Sequence, residues 1–356
     1  MKVALIGPTQ SGKSTLLAAL TGRPVDHLMP AAINEGIVSV PDERIDWLAG
    51  QYKPKKVTYA TIDCLDLPGL DLQTEHGRAA ARRLISQIRS VDMIVLVVRA
   101  FEDASVAMYR GRIDPRTDLV ELRTELLFSD LELVSNRIER LSKQVHKPTP
   151  TQAQDKQELA LLQRLQQAIE ADMPISSAIQ SEADKRIMKT LSLLSLKPMA
   201  AVVNLGEGQV GGDLDLAGVC GPEVPVLQLC IKLEYELSQL DPASRSEFLE
   251  ALGIDSPAIN KFVKTCYQSL GLISFLTVGH EEVRAWPIPK GTVALDAAGR
   301  VHSDMKRGFI RAEVFRFEDL KALGSEKELR AAGRFRVEGK DYVIQDGDVV
   351  HFRFNV

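Results

Sequence analysis

A motif of eight residues near the start of the chain restricts the folds that the chain can adopt. Residues 7–14 read Gly-Pro-Thr-Gln-Ser-Gly-Lys-Ser, which matches the pattern G-x-x-x-x-G-K-[ST]. A short apolar run at residues 2–7 leads into this motif, and a helix-like stretch at residues 14–20 follows it. Glycines let consecutive backbone N–H groups curl around an anionic phosphate, and the N-terminus of the following helix favours the same charge. The strand–loop–helix order therefore predicts a phosphate-binding loop.

Two side chains of this loop carry the chemistry that the motif predicts. Lys13 reaches the β- and γ-phosphates of a nucleotide and stabilises charge on the transferring phosphoryl group, so we predict it as a catalytic residue. The hydroxyl of Ser14 is predicted to ligate Mg²⁺. The predicted nucleotide-binding residues of the loop are Gly7, Gln10, Ser11, Gly12, Lys13, Ser14 and Thr15.

A second motif, Asp66-Leu67-Pro68-Gly69, ends the next predicted strand. Such a D-x-x-G supplies a carboxylate for the Mg²⁺ shell and a glycine N–H for the γ-phosphate, which makes Asp66 a predicted metal ligand and Gly69 a predicted phosphate contact. The next residue is Leu70, whose side chain can neither donate to nor accept from an attacking water. His76 is the candidate for that catalytic role if its segment folds over the phosphates; otherwise it is a solvated loop histidine.

Four further segments are predicted as strands because they are rich in Val, Ile and Leu without alternation. They are residues 57–67, 93–98, 200–204 and 224–229. Strands that are buried on both faces of a parallel sheet have this composition, and helical stretches such as residues 79–89 lie between them. The chain is thus predicted to contain an α/β sheet domain.

In the middle of the chain, apolar residues recur at the spacing of a helix. Residues 148–150 separate two helical segments, and the second of these resumes near Asp155. Six apolar residues of the first segment are spaced by four and three positions, the a/d stripe of a coiled coil; they are Leu127, Leu131, Val134, Ile138, Leu141 and Val145. We predict an antiparallel helical hairpin, inserted at about residues 115–195, whose stripe packs within the chain or, alternatively, forms a dimer.

The C-terminal part of the chain changes character again. Residues 311–317 alternate, residues 342–344 and 349–354 resemble strands, residues 318–323 resemble a helix, and residues 345–348 resemble a turn. This pattern predicts a small mixed α+β domain.

Charge, apolar runs and cysteines restrict the class of protein. Lys+Arg 44 against Asp+Glu 48 gives a net charge of −4, which excludes a generally basic nucleic-acid wrapper. No apolar run approaches the ~18 residues of a membrane-spanning helix. The four cysteines are scattered, which favours a reducing compartment. We therefore expect a cytoplasmic protein without a membrane segment.

Two segments after later strands are candidates for contact with a base. Asn204-Leu205-Gly206-Glu207 stands where guanine-specific proteins carry N-K-x-D, but the Lys is absent and Glu replaces Asp. Cys230 and Ile231 follow the last strand of the sheet, where a base-edge loop would lie. The alternatives are a solvated Glu207 and a plain strand-to-helix turn at Cys230.

These motifs, together with the tail, resemble the YchF/Obg-like ATPase family, P-loop proteins of the TRAFAC class that carry a C-terminal TGS domain. The resemblance runs nearly end to end. It is most specific in the tail, and residues 40–42, 53–55 and 99–103 also match the family. The matching segments of the tail are residues 284–286, 290–292, 297–299, 308–314 and 338–356.

The resemblance implies a Ras-like P-loop sheet domain (residues 1–115 and 196–277), an inserted α-helical coiled-coil hairpin (116–195) and a C-terminal β-grasp TGS domain (278–356). It also implies that ATP is preferred over GTP through Asn204 and Glu207. Association with the ribosome, through its large subunit or RNA and by way of the TGS and helical domains, is a further implication. Residues 278–356 carry 14 basic and 13 acidic side chains, so their bulk charge adds no support for RNA contact.

This chain departs from the family at the positions that read the γ-phosphate. The switch Thr of the family aligns with Pro30, the segment after Leu70 has lost most of its glycines, and Ile231 replaces Ala beside the base. Three functions follow as alternatives. They are a slow Mg²⁺-dependent ATPase switch that cycles between ATP and ADP, a nucleotide-binding adaptor of the translation machinery without useful hydrolysis, and a GTPase.

Overall fold

The computed structural model describes residues 1–29, 31–171, 173–212, 214–252 and 256–355. The strands are β1 (Lys2–Ile6), β2 (Asn34–Ser39), β3 (Lys56–Thr58), β4 (Thr61–Asp66), β5 (Met93–Arg99), β6 (Met199–Asn204), β7 (Val226–Leu229), β8 (Leu272–Thr277), β9 (Glu282–Pro289), β10 (Phe309–Arg316), β11 (Arg336–Glu338) and β12 (Asp348–Phe354). The helices are α1 (Lys13–Thr21), α2 (Glu43–Tyr52), α3 (Glu75–Gln87), α4 (Pro115–Gln144), α5 (Gln152–Glu170), α6 (Glu182–Leu191), α7 (Ile231–Gln239), α8 (Pro242–Leu252), α9 (Ala258–Ser269), α10 (Ala294–Val301), α11 (Ser303–Arg307), α12 (Phe317–Leu323) and α13 (Glu326–Ala331).

One sheet has the strand order β2-β4-β1-β5-β6-β7. Its centre is parallel, with β1 paired to β5, β5 to β6 and β6 to β7. Every residue of β5 is buried, as the continuous apolar run predicts for a strand covered on both faces. The carboxyl ends of β1 and β6 lie at one edge of this parallel sheet, where ligands of such folds bind.

Contacts group the chain into two compact units, residues 1–35 with 65–239 and residues 36–64 with 240–356. The first unit holds the strands β1 and β5–β7 together with the helices α1 and α3–α7. Its main apolar core joins these strands to α3 and to the start of α4, through side chains such as Ile85, Leu96 and Leu122.

The helical hairpin is present within the first unit. Asp114 caps α4 by accepting a hydrogen bond from the Thr117 N–H at 3.0 Å, and Pro115 occupies the first turn, as expected at a helix start. Apolar side chains of α4 pack against α5 in a shared core that includes Val134, Leu141 and Leu165. Val134, Leu141 and Val145 of the a/d stripe are buried within the chain, and Leu127 and Ile138 pack partly buried against this core, as the intramolecular alternative predicts.

The second unit contains the other sheet, in the order β11-β10-β12-β8-β9-β3. The pairs β10–β11, β10–β12 and β8–β9 are antiparallel, and β12–β8 and β9–β3 are parallel. The side chains of Phe275, Ile288, Val314 and Val350 form its core against α10. This is the mixed α+β arrangement that the C-terminal sequence predicts.

Two predicted strands differ from the structure. Residues 57–67 form two strands instead of one, because β3 pairs with β9 in the second sheet whereas β4 belongs to the first. Residues 342–344 form only an isolated bridge, between Val343 and Val293. Their backbone groups instead bond to the turn before α10: the N–H of Ala294 donates to the carbonyl of Tyr342 at 2.7 Å, and the N–H of Ile344 donates to the carbonyl of Thr292 at 3.0 Å.

None of the helices in the described ranges combines the length and the apolar character that a membrane span needs.

Candidate functional site

The loop between β1 and α1 frames a cavity of about 500 Å³. The loop ends at Gly12, which adopts a left-handed conformation (φ +99°) directly before the first residue of α1. Leu67 and Gly69, which follow β4, also line the cavity. From the loop and the start of α1, the lining residues are Thr9, Gln10, Gly12, Lys13, Ser14 and Thr15. The sequence motif and the concave surface therefore coincide.

Gly69 is in close contact with the loop. A Cβ atom at this position would lie 2.6 Å from the Cα of Thr9, so no side chain fits there. The next residue, Leu70, donates its N–H to the carbonyl of Gly7 at 3.0 Å. The two predicted phosphate-contact segments are thus held together by backbone contact.

Lys13 is buried, and its ammonium lies against the loop backbone. The Nζ donates to the carbonyls of Pro8 at 2.8 Å and Gly7 at 3.1 Å. Burial lowers the pKa of Lys13 to about 8, although the charge of Asp66 opposes that shift. The two hydrogen-bond partners of this buried amine are neutral carbonyls, so little negative charge balances its positive charge. The phosphates of a nucleotide in the cavity would supply that negative charge.

Ser14 and Asp66 meet beside Lys13. The Ser14 hydroxyl donates to Oδ2 of Asp66 at 2.6 Å. Burial raises the pKa of Asp66, while the hydrogen bond from Ser14, the charge of Lys13 and the nearby Asn34 side chain oppose the rise. The other oxygen, Oδ1, is buried and has no hydrogen-bond partner among the described residues, and neither has the Oγ of Ser11. An unpaired buried carboxylate oxygen is costly, and it marks a position for a ligand.

The pair of Ser14 and Asp66 fits Mg²⁺. A hydroxyl and one carboxylate match the oxygen donors that Mg²⁺ takes from a protein when a phosphate and waters complete its shell. In the described ranges, no group of three or more His, Cys, Asp or Glu side chains could hold a metal without such help. The donor set therefore suits a metal shared with a nucleotide rather than an all-protein metal site.

Asn204 braces the phosphate loop from the end of β6. Its buried amide donates from Nδ2 to the carbonyl of Ser11 at 3.1 Å and accepts at Oδ1 from the N–H of Ile231 at 3.1 Å. One side chain thus joins the loop to the start of α7. The predicted residues Asn204 and Ile231 are brought to the loop, and Ile231 is fully buried.

Glu207 and Cys230 do not line the cavity. Glu207 is exposed and forms an ion pair with Lys232, with Oε1 2.8 Å from Nζ. The Cys230 thiol is buried, and burial raises its pKa. The sequence motifs alone did not assign Lys232, although it stands next to Ile231.

His76, the catalytic candidate besides Lys13, is not brought to the cavity. His76 is exposed in the first turn of α3 and is absent from the cavity lining. Leu70 is buried and apolar. Pro30, which aligns with the family's switch Thr, lies outside the described residues.

An anchor that the sequence did not reveal holds the segment after Gly69. The N–H of Leu72 donates to the Tyr109 hydroxyl at 3.1 Å. The carbonyl of Leu72 accepts from Arg78 at 2.9 Å and from Arg110 at 2.7 Å. Arg110 is also paired with Glu121 of α4, so this segment is fastened to the base of the helical hairpin.

The lowered pKa of Lys13 predicts pH-dependent stability of the nucleotide-free protein. An unfolded lysine titrates near 10.4, so between about pH 8 and pH 10 the unfolded chain binds more protons than the folded chain. The free energy of unfolding that Lys13 contributes therefore rises with pH across this window and is lost as pH falls through 8. In thermal melts from pH 7.5 to 9.5, we expect wild type to gain stability relative to Lys13→Met. Parallel pH profiles of the two proteins would refute this assignment.

Family models match both ends of the chain. A model described as "50S ribosome-binding GTPase" matches residues 2–128. A YchF GTPase C-terminal model, described as "Protein of unknown function (DUF933)", matches residues 272–355.

Full-length relatives are similar over the whole chain. The "Ribosome-binding ATPase YchF" of Bacillus subtilis is 37% identical, with 100% of both chains covered. The protein of that name in Haemophilus influenzae is 35% identical over 100% of this chain and 99% of its own, and "Obg-like ATPase 1" of Oryza sativa is 35% identical over 100% and 92%. The solved structure of the Schizosaccharomyces pombe YchF GTPase matches with a TM-score of 0.82 and 30% identity, over 99% of this chain and 97% of that one.

Proposed function

The chain belongs to the YchF family, and from this premise we propose that it is an ATP-preferring nucleotide switch that hydrolyses ATP slowly with Mg²⁺. The observation that carries the proposal is that Lys13 and Ser14 line one cavity and that Ser14 is bonded to the buried Asp66 behind it. The amine supplies positive charge for the β- and γ-phosphates, and the backbone N–H groups of the loop and of α1 supply the rest.

Ser14 and Asp66 would hold the Mg²⁺ ion that accompanies the nucleotide. When bound, Mg²⁺ neutralises charge on the β- and γ-phosphate oxygens. The free Oδ1 of Asp66 and the Ser14 hydroxyl support this role. The chain's own contribution is to place these oxygens beside Lys13 in a buried site where electrostatic interactions are strong.

The Glu207–Lys232 ion pair supports a preference for adenine. Guanine presents two neighbouring donors, N1–H and the exocyclic amine, which a free carboxylate accepts with both oxygens. In this chain Oε1 of Glu207 is paired with Lys232, so a grip on both guanine donors would compete with that ion pair, whereas a single donor can bond to the other oxygen. The N6 amine of adenine is such a donor.

Slow hydrolysis is inferred from what surrounds the phosphates. Leu70 cannot orient a water, and His76 is exposed away from the cavity lining. The same observation favours the second candidate, a nucleotide-binding adaptor that does not turn over. Single-turnover ATP hydrolysis distinguishes them, because an adaptor binds ATP without releasing product.

Ribosome association in the cytoplasm is part of the proposal. It rests on the names of the full-length relatives, which are described as ribosome-binding. We place the contacts with the large subunit or its RNA in the inserted hairpin (116–195) and the TGS domain (278–356), and the nucleotide in the P-loop domain (1–115 and 196–277). Co-sedimentation with ribosomes tests this part.

Titrating ATP, GTP and ADP with and without Mg²⁺ tests the nucleotide assignment. We expect ATP to bind about tenfold more tightly than GTP, an advantage of about 1.4 kcal/mol, which is close to the lower end of the range for one hydrogen bond to a charged group, about 1.5–3 kcal/mol. Glu207→Ala should bring the two affinities together. Omission of Mg²⁺ should weaken ATP binding in wild type but not in Asp66→Asn.

Glu223→Ala is the matched control for this titration, because Glu223 is also exposed and lies outside the site. It should keep the ATP preference. If wild type prefers GTP, the reading of Glu207 is wrong and the GTPase alternative stands.

A further inference from the structure

The segment that follows Gly69 is held at both of its ends. At the first end, the N–H of Leu70 donates to the carbonyl of Gly7 in the phosphate loop at 3.0 Å. At the other end, the N–H of the buried Leu72 donates to the hydroxyl of Tyr109 at 3.1 Å. One residue separates the two ends, so a displacement of Leu72 would be passed on to the backbone at Gly69.

Arg110 holds the carbonyl of Leu72 and joins it to helix α4. Its Nη2 donates to that carbonyl at 2.7 Å, and its Nη1 donates to Oε1 of Glu121 in α4 at 2.6 Å. Arg78 of α3 donates to the same carbonyl at 2.9 Å. The Arg110 guanidinium also lies over the ring of Tyr109, 5.6 Å from its centroid. Tyr109 and Arg110 thus bond both backbone groups of Leu72, and we call these two residues the Leu72 anchor.

The Leu72 anchor is maintained at a conformational cost. Arg110 has a left-handed backbone (φ +53°, ψ +27°), which residues other than glycine adopt uncommonly. Its Nε and the Oε2 of Glu121 are buried, and neither atom has a hydrogen-bond partner among the described residues. Strained residues persist where the surrounding structure determines them, and they cluster at functional sites. This cost favours a functional role for the anchor over general support of the fold.

We propose that Tyr109 and Arg110 are positioning residues that hold Gly69 where its N–H meets the γ-phosphate of ATP. This inference deepens the proposed function and rests on it. Gly69 lies so close to Thr9 of the phosphate loop that a Cβ atom would be 2.6 Å from the Thr9 Cα. The anchor preserves this close approach because it fixes the backbone three residues further along the chain.

The γ-phosphate distinguishes this role from general support of the fold. ADP lacks the γ-phosphate, so loss of the Gly69 contact weakens the binding of ATP and leaves the binding of ADP unchanged. A variant that damages the fold or the phosphate loop lowers the affinities for both nucleotides together. The ratio of the two affinities is therefore the measurement that reports on the anchor.

The test is calorimetric titration of the full chain with ADP and with the β,γ-imido analogue of ATP, each with Mg²⁺. Tyr109→Phe removes the hydroxyl and keeps the ring in the apolar core. Arg110→Lys keeps the positive charge but removes the guanidinium that bonds both Leu72 and Glu121. We expect each variant to bind the ATP analogue about tenfold more weakly, a loss of about 1.4 kcal/mol, and to bind ADP within about twofold of wild type.

Tyr235→Phe and Arg164→Lys are the matched controls, because they remove the same groups from other parts of the first unit. The Tyr235 hydroxyl accepts from the N–H of Val25 at 3.3 Å. Arg164, like Arg110, bonds a carbonyl and a carboxylate: it donates to Ala178 at 3.0 Å and to Asp184 at 2.9 Å. Both controls should keep the affinities of wild type for the two nucleotides.

The outcomes separate the anchor from the proposed function. Anchor variants that keep the wild-type ratio of the two affinities overturn the inference, and the proposed nucleotide function then stands. An equal loss of affinity for both nucleotides also overturns it, because such a loss indicates general damage to the site. Wild type that binds neither nucleotide overturns the proposed function and the inference together. The two variants act on different backbone groups of Leu72, so one of them decides the question if the other does not fold.

Discussion

Lys13→Ala is expected to weaken ATP binding at least about 100-fold and to remove ATP hydrolysis. The variant removes the buried ammonium that lies against the loop carbonyls of Gly7 and Pro8. Each hydrogen bond to a charged group is worth about 1.5–3 kcal/mol, and 1.4 kcal/mol is a factor of ten in affinity. With Lys13 absent, Asp66 also loses its neighbouring positive charge and repels the phosphates. A fluorescent ATP analogue and a single-turnover hydrolysis assay measure both effects.

Lys156→Ala is the control for this experiment, because it removes an exposed lysine of α5 outside the site. It should bind and hydrolyse ATP as wild type does. If Lys13→Ala binds ATP within about twofold of wild type, less than 0.5 kcal/mol, the cavity is not a phosphate site. Hydrolysis that persists unchanged in Lys13→Ala would come from a contaminating enzyme.

Gly12→Ala is expected to have the second-largest effect. A Cβ at Gly12 would lie 2.3 Å from the Nδ2 of Asn204, and the residue has φ +99°, where an L side chain is strained. Either the loop or the Asn204 amide must therefore shift, and either movement breaks the bond between Asn204 and the Ser11 carbonyl. Overpacking and strain each cost about 1–3 kcal/mol, so we expect the variant to lose both ATP affinity and several degrees of Tm.

Gly22→Ala separates the clash from the strain. Gly22 ends α1 with φ +66°, and a Cβ there meets no atom within 4 Å. It should therefore cost only the left-handed strain, about 1–2 kcal/mol, and leave ATP affinity unchanged. Equal losses of ATP affinity in the two variants would show that strain alone accounts for Gly12 and that the contact with Asn204 is irrelevant.

Local residue patterns predicted the core of the sheet and the hairpin. The run at residues 93–98 is buried throughout β5, and the stripe through Val134 and Leu141 is buried against α5. Both predictions succeeded because burial on two faces and burial on one helical face leave distinct periods in the sequence. The prediction of one strand at residues 57–67 was wrong because the composition of this segment does not indicate which sheet each half joins.

The candidate site was partly predictable. The loop and the D-x-x-G segment are each recognised from the fixed spacing of a few neighbouring residues. The structure brings Lys13, Ser14 and Asp66 of these two motifs together. The sequence suggested Asn204 as a contact for the base, but its side chain is occupied in joining Ser11 to Ile231. Such a brace depends on three segments that are far apart in the sequence. The ion pair of Glu207 with Lys232 and the anchoring of Leu72 by Tyr109 were missed for the same reason.

Short-range patterns in the chain were enough to predict a phosphate-binding loop on a parallel sheet, a helical hairpin and a mixed C-terminal domain. Those features follow from neighbouring residues, whose side chains and backbone preferences act within a few positions. The folded chain alone revealed that Asp66 keeps one oxygen unpaired and that Tyr109 and Arg110 hold the segment after Gly69. Each depends on how distant segments pack, and that packing sets which charges are buried, paired or left available.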